Sequence, residues 1–499
     1  MNKIDLQRLD IRYFAVAVSL LISLLERMSP STLNDDSYAY VRTAEVFLAD
    51  GIQAAVSHYS WPIFSILIAL VSKLGLTLFS SAFLINSLFF ALLTFALLSI
   101  IKTIDSDRST LVLAAICVLV YPELNEYRGT IIRDVAFWSL VFLSLWQLIL
   151  YTQHQSLTNN IGFTACLIMA AAFRAEALAY LFVIPLLHII FTSSKGLRNS
   201  YLKLLFSSCI ILLCLTLFLL LLQVNVATQL VKFVSVYRPF IESPIGSDPE
   251  SIASVSVAVF GDYAAIYSED YLGLFIAGGL FSLLIFKILN GVGAPLFLLL
   301  AAQATKQRAK IDSSILLSFY SYFFVNFIII FVFIFITRYL PSRHTMILSL
   351  ILLIFLSLLA KELLNFSRQS ETSLIRGSLY LLLVYCTIDS YYSFGYKKEF
   401  IANSNQWLKQ NSPLSQRLLT NNHAIAFASK KIENYDKVSA NVSTEEILNV
   451  GNDALLVIEM NLTMATLMRE LVEEGAIEFE IGFPAGPEPR VAIYRTMKD

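Results

Sequence analysis

Long apolar stretches recur along most of this chain, and they constrain its fold more than any other feature. A helix needs about 20 apolar residues to span the hydrocarbon core of a bilayer. Stretches near that length include residues 202–223, 314–336 and 346–360. Of the 499 residues, 57% are hydrophobic and 15% are charged, whereas soluble domains carry roughly 25% charged residues. The sequence therefore predicts a polytopic α-helical membrane protein.

The charge balance and the first apolar stretch narrow the class further. The chain has 36 basic and 37 acidic residues, which argues against a general nucleic-acid binder. The first apolar stretch follows Arg8 and Arg12 and ends in Glu26-Arg27, without a small-residue cleavage site. It is therefore predicted to be a membrane anchor rather than a cleaved signal peptide.

Basic residues predict the topology, because cytoplasmic loops collect lysine and arginine. Four clusters mark the inside: Lys102 with Arg108; Lys195, Arg198 and Lys203; Lys306, Arg308 and Lys310; and Lys361, Arg368 and Arg376. The predicted crossings then lie near 13–29, 82–101, 109–123, 134–151, 160–178, 179–194, 202–224, within 271–304, and near 313–337, 344–360 and 376–393. This gives about eleven transmembrane helices, with the N-terminus inside and the C-terminus outside.

The same parity predicts three extracytoplasmic loops, near 30–81, 121–133 and 225–270. The first loop should carry two surface helices, near 38–49 and 62–78. After Tyr396 the composition changes: short β-type runs at 418–420, 454–458, 476–483 and 491–494 flank an amphipathic helix at 462–474. The expected division is a transmembrane catalytic domain, residues 1–395, and a small extracytoplasmic α/β domain, residues 396–499.

Two adjacent aspartates, Asp35 and Asp36, begin the first loop's surface helix. Asp36 alone could cap the helix N-terminus. A pair of carboxylates is harder to explain by capping, since each repels the other. Such a pair suits two kinds of chemistry: taking a proton from an attacking hydroxyl, or holding a divalent cation such as Mg²⁺ or Mn²⁺ through oxygen ligands. The sequence leaves both open.

Further charged residues fall on the same predicted face. Asp134 opens a helix, where an acid suits the helix dipole. Arginine is suited to phosphate, because its planar fork donates two parallel hydrogen bonds. The other charged residues of this face are Arg128, Arg133, Arg174 with Glu176, Arg338, Arg343 and His344. They indicate an anionic ligand there, although some arginines would be plain interfacial anchors.

In this order the motifs resemble those of GT-C glycosyltransferases. The run Asp36-Ser37-Tyr38-Ala39-Tyr40, followed by Arg42, Glu45 and Gly51, is similar to their opening signature. The closest branch contains protein O-mannosyltransferases and the aminoarabinose transferase of lipid A, and is glycosyltransferase family 39-like. The Trp61-Pro62 surface helix, Arg133-Asp134, Arg338-Tyr339 and the tail motif Trp407-Leu408-Lys409 fit the same pattern.

The resemblance implies a GT-C fold, a polyprenyl-phosphate-linked sugar donor and inversion at the anomeric carbon. It implies that Asp36 activates the acceptor hydroxyl, that Asp35 assists or binds metal, and that Asp134 is a second acid of the site. Arg338, with Arg128, Arg133 or Arg174, would bind the donor phosphate. Supporting residues would be Tyr40, Glu176, Arg343 and His344. No cofactor is certain; a divalent cation, if used, would sit at Asp35 and Asp36.

The expected function is therefore hexosyl or pentosyl transfer in cell-envelope glycan or lipopolysaccharide biosynthesis. The acceptor would be a lipid, glycan or protein at the outer face of a bacterial inner membrane. The alternative is a transporter, flippase or polymerase-type subunit for lipid-linked glycans. Transporters carry ionisable residues near the bilayer midplane, whereas here these residues cluster at one surface, which favours an enzyme.

Overall fold

The computed structural model forms two compact units. It describes residues 10–28, 33–221, 231, 235, 237–238, 240–242, 249–296, 298, 302, 311–369, 373–392, 399–413, 415–430 and 438–497. The first unit comprises Met1–Glu26, Thr43–Arg128 and Ile132–Ser393; the second comprises Arg27–Arg42, Gly129–Ile131 and Phe394–Asp499. The second unit thus contains two short segments from far earlier in the chain, which the sequence did not predict.

Helices make up the described part of the first unit. They are α1 Ile11–Met28, α2 Asp35–His58, α3 Ile63–Ser72, α4 Leu78–Ile104, α5 Arg108–Leu119, α6 Pro122–Asn125, α7 Asp134–His154, α8 Leu157–Phe173, α9 Ala177–Phe191 and α10 Lys195–Leu221. They continue with α11 Pro249–Phe260, α12 Asp262–Ser268, α13 Leu272–Val292, α14 Ser313–Thr337, α15 Ser342–Gln369 and α16 Ser373–Tyr391. Helix α2 starts in the second unit and kinks at Gly51.

A helix occupies each of the eleven stretches predicted to cross the membrane. Six described segments are long and apolar enough to cross: Leu78–Ile104, Asp134–His154, Lys195–Leu217, Asp262–Val292, Ser313–Thr337 and Ser342–Gln369. Four further apolar helices, among them α8 and α9, are shorter. The prediction of a polytopic helical membrane protein is confirmed, and the number of eleven crossings stays a prediction.

The predicted loop at 225–270 needs correction where the structure describes it. Residues 249–260 and 262–268 are helical, and a turn of 3₁₀ helix at Glu269–Tyr271 joins α12 to α13. The apolar segment therefore begins at Asp262, about two and a half helical turns before the predicted start near 271. The rest of that loop, 225–230, 232–234, 236, 239 and 243–248, lies outside the described residues.

Three helix ends lie at the site. Asp134 is the first residue of α7, where its carboxylate faces the positive end of the helix dipole. Helix α13 ends at Gly293, which adopts a φ of +59° that glycine takes without steric cost. Helix α14 ends at Arg338, a non-glycine residue in the left-handed conformation with a φ of 63°.

The second unit contains a four-stranded mixed sheet with the order β1-β2-β4-β3. Its elements are α17 Glu399–Asn411, β1 Leu418–Thr420, α18 His423–Ser429, α19 Thr444–Asn449, β2 Leu455–Glu459, α20 Leu462–Glu473, β3 Ile477–Phe483 and β4 Val491–Thr496. Strand β1 pairs parallel with β2, and β4 pairs antiparallel with β2 and β3. The predicted α/β fold of the tail is confirmed.

Alternation along β2 divides the core of this sheet into two layers. Leu455 and Val457 point to one face, against α17 and α18. Leu456 and Ile458 point to the other face, against α20. Both faces are covered by helices, as the continuous apolar run of this strand predicts.

The short segments of the second unit are tied to it by specific contacts. The Asn34 side chain donates to the carbonyl of Ile131 (3.3 Å) and accepts from the Ile131 N–H (3.1 Å). Tyr38 packs against the layer that contains Phe400, and its ring lies 5.6 Å from the ring of Phe427. The first turn of α2, which carries the aspartate pair, is therefore fixed to the tail domain.

Candidate active site

A buried ion cluster lies where α7, α8 and α9 meet. The guanidinium of Arg174, at the end of α8, donates to the carboxylate of Asp134 and, at 2.8 Å, to that of Glu176. The side chains of Arg174, Asp134 and Glu176 are 11%, 4% and 18% exposed. Ionisable groups so deep in a membrane protein are costly, and they are commonly paired. The sequence predicted all three as site residues, and the structure brings them together.

The charges in this cluster compensate one another. Arg174 donates a hydrogen bond to each carboxylate, and its positive charge pairs with both. The positive charge of Arg174 is thus balanced by two carboxylates of the protein itself.

His344 and Arg343 extend the cluster from the first turn of α15. One guanidinium nitrogen of Arg174 lies 3.3 Å from Nδ1 of His344. The His344 ring also lies 4.4 Å from the ring of Phe333 on α14. Arg174, Glu176, Arg343 and His344 line a cavity of about 20 Å³, which is room for about one water molecule. A cavity of this size is too small for a sugar or a phosphate.

A larger opening lies beside Arg338. It is a groove of about 400 Å³ between α13 and α14, and Arg338 supplies its charged side chain. The rest of the lining consists of Phe240, Ile241, Gly273, Ile276, Ala277, Leu280, Phe335 and Ile336. Gly273 and Ala277 are one turn apart on α13, and small side chains there leave space beside the larger residues of α14.

Local geometry fixes Arg338 at this groove. Its backbone N–H donates to the carbonyl of Ile334 (2.8 Å), which closes the last turn of α14. Its guanidinium donates to the carbonyl of Phe240. The left-handed conformation of Arg338 turns the chain sharply after the helix. Among non-glycine residues, Asn adopts this conformation most readily, so it is the substitution that preserves the turn.

Aromatic rings connect the groove with the ion cluster. The ring of Phe333 lies 5.8 Å from that of Tyr339 and 6.3 Å from that of Tyr237. Tyr339 in turn lies 6.0 Å from Phe240, which lines the groove. Because Phe333 also packs on His344, a chain of ring contacts runs from Phe240 at the groove through Tyr339 and Phe333 to His344.

Two predicted phosphate ligands lie elsewhere. Arg128 is buried and donates to Asn125, Ser23 and two oxygens of Ser19, while its guanidinium covers the ring of Phe90 at 4.7 Å. These contacts anchor α1 to the loop before α7. Arg133 precedes Asp134, and its guanidinium lies 5.5 Å from the ring centre of Tyr59. Neither arginine lines the groove of Arg338.

The remaining predicted residues lie in the second unit. Asp35 is exposed and Asp36 is half-buried in the first turn of α2, and Tyr40 is buried one turn further on. Asp35 also contributes, after burial, to raising the pKa of Tyr38 to about 12. Among the residues that the structure describes, no group of three or more His, Cys, Asp or Glu side chains is arranged to hold a metal ion.

Comparison with known proteins gives similarity in structure only. No family model matches the chain, and no curated protein is significantly similar to it. ArnT from Cupriavidus metallidurans bound to undecaprenyl phosphate is similar at 12% identity, with 97% of each chain covered and a TM-score of 0.43. The Archaeoglobus fulgidus oligosaccharyltransferase tethered with an acceptor peptide is 10% identical over 81% of this chain and 57% of its own, with a TM-score of 0.43.

A third similar structure is the arabinofuranosyltransferase AftD from Mycobacteria. It is 12% identical over 98% of this chain and 40% of its own, with a TM-score of 0.45. The three are GT-C superfamily glycosyltransferases, the group that the sequence motifs resemble. The likeness concerns overall structure, so the reaction, donor and acceptor depend on this chain's own residues.

Proposed function

We propose that this membrane protein is a glycosyltransferase that takes a sugar from a polyprenyl-phosphate donor and moves it to an acceptor hydroxyl. The observation that carries the proposal is Arg338 at an apolar groove between α13 and α14. An apolar groove with one guanidinium suits a lipid phosphate, because the chain needs hydrocarbon contacts and the phosphate needs a charge-assisted hydrogen bond. The transporter alternative has no comparable support from a described residue.

The proposed reaction is a single displacement with inversion. The acceptor oxygen bonds to the anomeric carbon while the bond from that carbon to the phosphate oxygen breaks. The bonding electron pair leaves with the phosphate, whose charge grows from one to two negative units. A fixed guanidinium stabilises that growing charge and so lowers the barrier. In this proposal Arg338 supplies the stabilisation.

The acceptor proton needs a base, for which we propose Asp36, with Asp35 assisting. The support is the sequence signature and the placement of both acids in the first turn of α2, next to Tyr38 and Tyr40. Asp134 is bound to Arg174, so we propose that it holds the ends of α7 and α8 in place and is not the base. The site would face the extracytoplasmic side of a bacterial inner membrane.

Donor-lipid binding can be tested without knowing the sugar. Undecaprenyl phosphate contains the chain and phosphate that every donor of this class shares, so its affinity for the purified full chain is measured by native mass spectrometry. Arg338→Asn keeps a residue suited to the left-handed conformation but removes the guanidinium. We expect it to weaken binding at least tenfold, and Arg338→Lys to be intermediate because it keeps only a point charge.

Arg238→Asn is the matched control, since Arg238 is exposed and pairs with Glu242. Its affinity for undecaprenyl phosphate should stay within twofold of the wild-type value. If Arg338→Asn bound as tightly as this control, the phosphate assignment of Arg338 would be wrong.

The transfer step is tested in a deletion strain that expresses variants of the chain. Surface glycolipids and glycans are compared by mass spectrometry between strains with wild-type protein, Asp36→Asn and Asp50→Asn. Asp50 is an exposed acid further along α2, so its variant should restore the wild-type pattern. Asp36→Asn should leave membrane insertion intact and remove the modified product. Near-normal product from Asp36→Asn would exclude Asp36 as the base.

A further inference from the structure

A second apolar groove lies on another side of the first unit. It has a volume of about 890 Å³ and runs between the segment after α13, helix α15 and helix α16. Its lining residues are Gly293, Ala294, Leu296, Leu298, Leu363, Leu374, Ile375, Ser378, Leu379, Leu381, Leu382 and Tyr385. Only Ser378 and Tyr385 contribute polar side-chain groups, and the residues of α16 follow the groove for about three turns.

The groove opens toward the hydrocarbon side of the protein. Leu374 and Leu381 line it and are 84% and 72% exposed. The groove is bordered by the segment after α13 and by α15, and both of these helices are long and apolar enough to cross a membrane. Exposed leucines of α16 beside them are therefore expected to contact lipid chains. A hydrocarbon chain of a membrane lipid therefore has direct access to the groove.

Acidic side chains lie next to one end of the groove. Glu123 Oε1 lies 3.2 Å from the position that a Cβ on Gly293 would occupy, and Gly293 lines the groove. The carboxylates of Glu126 and Asp389 act on Glu123 electrostatically, and Lys287 is the cation that acts on it. Three acids and one base make this end negative.

The acidic end is structurally fixed. The hydroxyl of Tyr121 donates to the carbonyl of Gly291, at the end of α13. Ser390 and Tyr391, next to Asp389, donate to the carbonyls of Val120 (2.8 Å) and Leu119 (2.6 Å). These bonds bring α5, α13 and α16 together around Glu123.

We propose that this groove is a lipid-binding site for a membrane lipid whose head group carries an amine. Its hydrocarbon chain occupies the apolar groove, and the ammonium group lies among Glu123, Glu126 and Asp389. An anionic head group would meet like charge at the same place, so the site discriminates against the class of lipid that suits Arg338. The inference does not depend on the glycosyltransferase function.

The charge state of Glu123 gives the site a pH dependence. Burial, followed by the charges of Glu126 and Asp389, raises the pKa of Glu123 to about 7, while Lys287 acts in the opposite direction. Glu123 also acts on Tyr121 and Tyr127, and burial raises the pKa of both phenols well above their ordinary value. An ammonium group favours the ionised carboxylate, so binding should tighten as Glu123 loses its proton between pH 6 and pH 8.

Native mass spectrometry of the purified full chain tests the site with two defined probes, dioleoyl phosphatidylethanolamine and dioleoyl phosphatidylglycerol. We expect the amine lipid to bind at least tenfold more tightly than the anionic lipid at pH 8. Ser378→Trp fills the groove from an exposed position and should weaken binding of the amine lipid at least tenfold. Val384→Trp is the control, because Val384 is exposed on the same helix but does not line the groove.

Glu123→Gln keeps the shape of the side chain and removes its charge. It should reduce the preference for the amine lipid to within about threefold and abolish the rise in affinity between pH 6 and pH 8. Equal binding of both lipids to the wild-type protein would overturn the proposal, as would wild-type binding to Ser378→Trp. Loss of undecaprenyl phosphate binding in Ser378→Trp would assign this groove to the donor lipid instead.

Discussion

Arg174 and Glu176, two residues apart in the chain, form a buried ion pair with 2.8 Å between Nη2 and Oε1. The same guanidinium binds Asp134 at the start of α7. One side chain therefore holds the ends of three helices together, within a cluster too small to admit a substrate.

Removing Arg174 should destabilise the protein strongly. Arg174→Ala leaves Asp134 and Glu176 buried without their cation, and breaking a buried pair in this way costs about 3–5 kcal/mol. Chemical unfolding of detergent-purified protein, followed by circular dichroism, measures the loss. Arg238→Ala removes an exposed pair with Glu242, for which about 0–1 kcal/mol is expected. Equal losses in the two variants would contradict the importance of the cluster.

Replacing Arg128 should lower the stability of the protein without weakening donor-lipid binding. Burial lowers the pKa of Arg128 to about 10, and its hydrogen bonds anchor α1 through Ser19 and Ser23. Arg128→Met should cost about 2–3 kcal/mol, as expected for lost hydrogen bonds to a charged group. The affinity for undecaprenyl phosphate should stay within twofold of the wild-type value. A tenfold loss of affinity would restore Arg128 as a phosphate ligand, as the sequence predicted.

The end of α15 that carries Lys361 should make stability sensitive to acid. Lys361 pairs with Asp105 (2.7 Å) and Asp107 (2.9 Å), which flank the turn between α4 and α5. The hydrogen bond from Lys361 lowers the pKa of Asp107 from 3.8 to about 2. A carboxyl group whose pKa is lowered in the folded protein stabilises the fold at pH values above its ordinary pKa. This contribution is lost as the pH falls from about 4 to 2.

The wild-type melting temperature should therefore fall more between pH 4 and pH 2 than that of Lys361→Met. Thermal unfolding followed by circular dichroism at both pH values gives the comparison. A parallel fall in the two proteins would show that the pair does not contribute.

Close packing around Gly482 in the tail domain predicts that a larger residue there destabilises the domain. A Cβ on Gly482 would lie 2.5 Å from Cβ of Pro489, and neither the strand nor the proline ring has a flexible end that can move. Gly482→Ala should destabilise the tail domain by about 1–3 kcal/mol. Limited proteolysis of the full chain measures this as faster cleavage after residue 399. Gly475→Ala would be unfavourable for a different reason. A Cβ there meets open space, but the φ of +76° is strained for alanine.

The sequence predicted the elements well because their signals are local. Apolar length marks the long helices such as α4, α7, α14 and α15, and the continuous apolar run of β2 marks a strand covered on both faces. Asp134, Arg174 and Glu176 were predicted as site residues because charges are rare in such segments, and helix parity put them on one face.

Contacts between distant parts of the chain were not predictable in this way. The partners of Arg128 lie on α1, more than 100 residues earlier, and no local pattern distinguishes it from a phosphate ligand. The groove at Arg338 depends on small residues of α13 facing large residues of α14. The spacing of Gly273 and Ala277 was a signal that could have indicated it.

The hydrogen bonds between Asn34 and Ile131, and the stacking of Tyr38 on Phe427, have a practical consequence for protein engineering. A truncation before residue 399 removes Phe427 and the layer against which Tyr38 packs, so it also alters the surroundings of Asp35 and Asp36. Loss of activity in such a truncation would not locate the chemistry in the tail. A chimera that exchanges the tail with that of another protein would have to carry residues 27–42 and 129–131 with it, because these three segments form one compact unit.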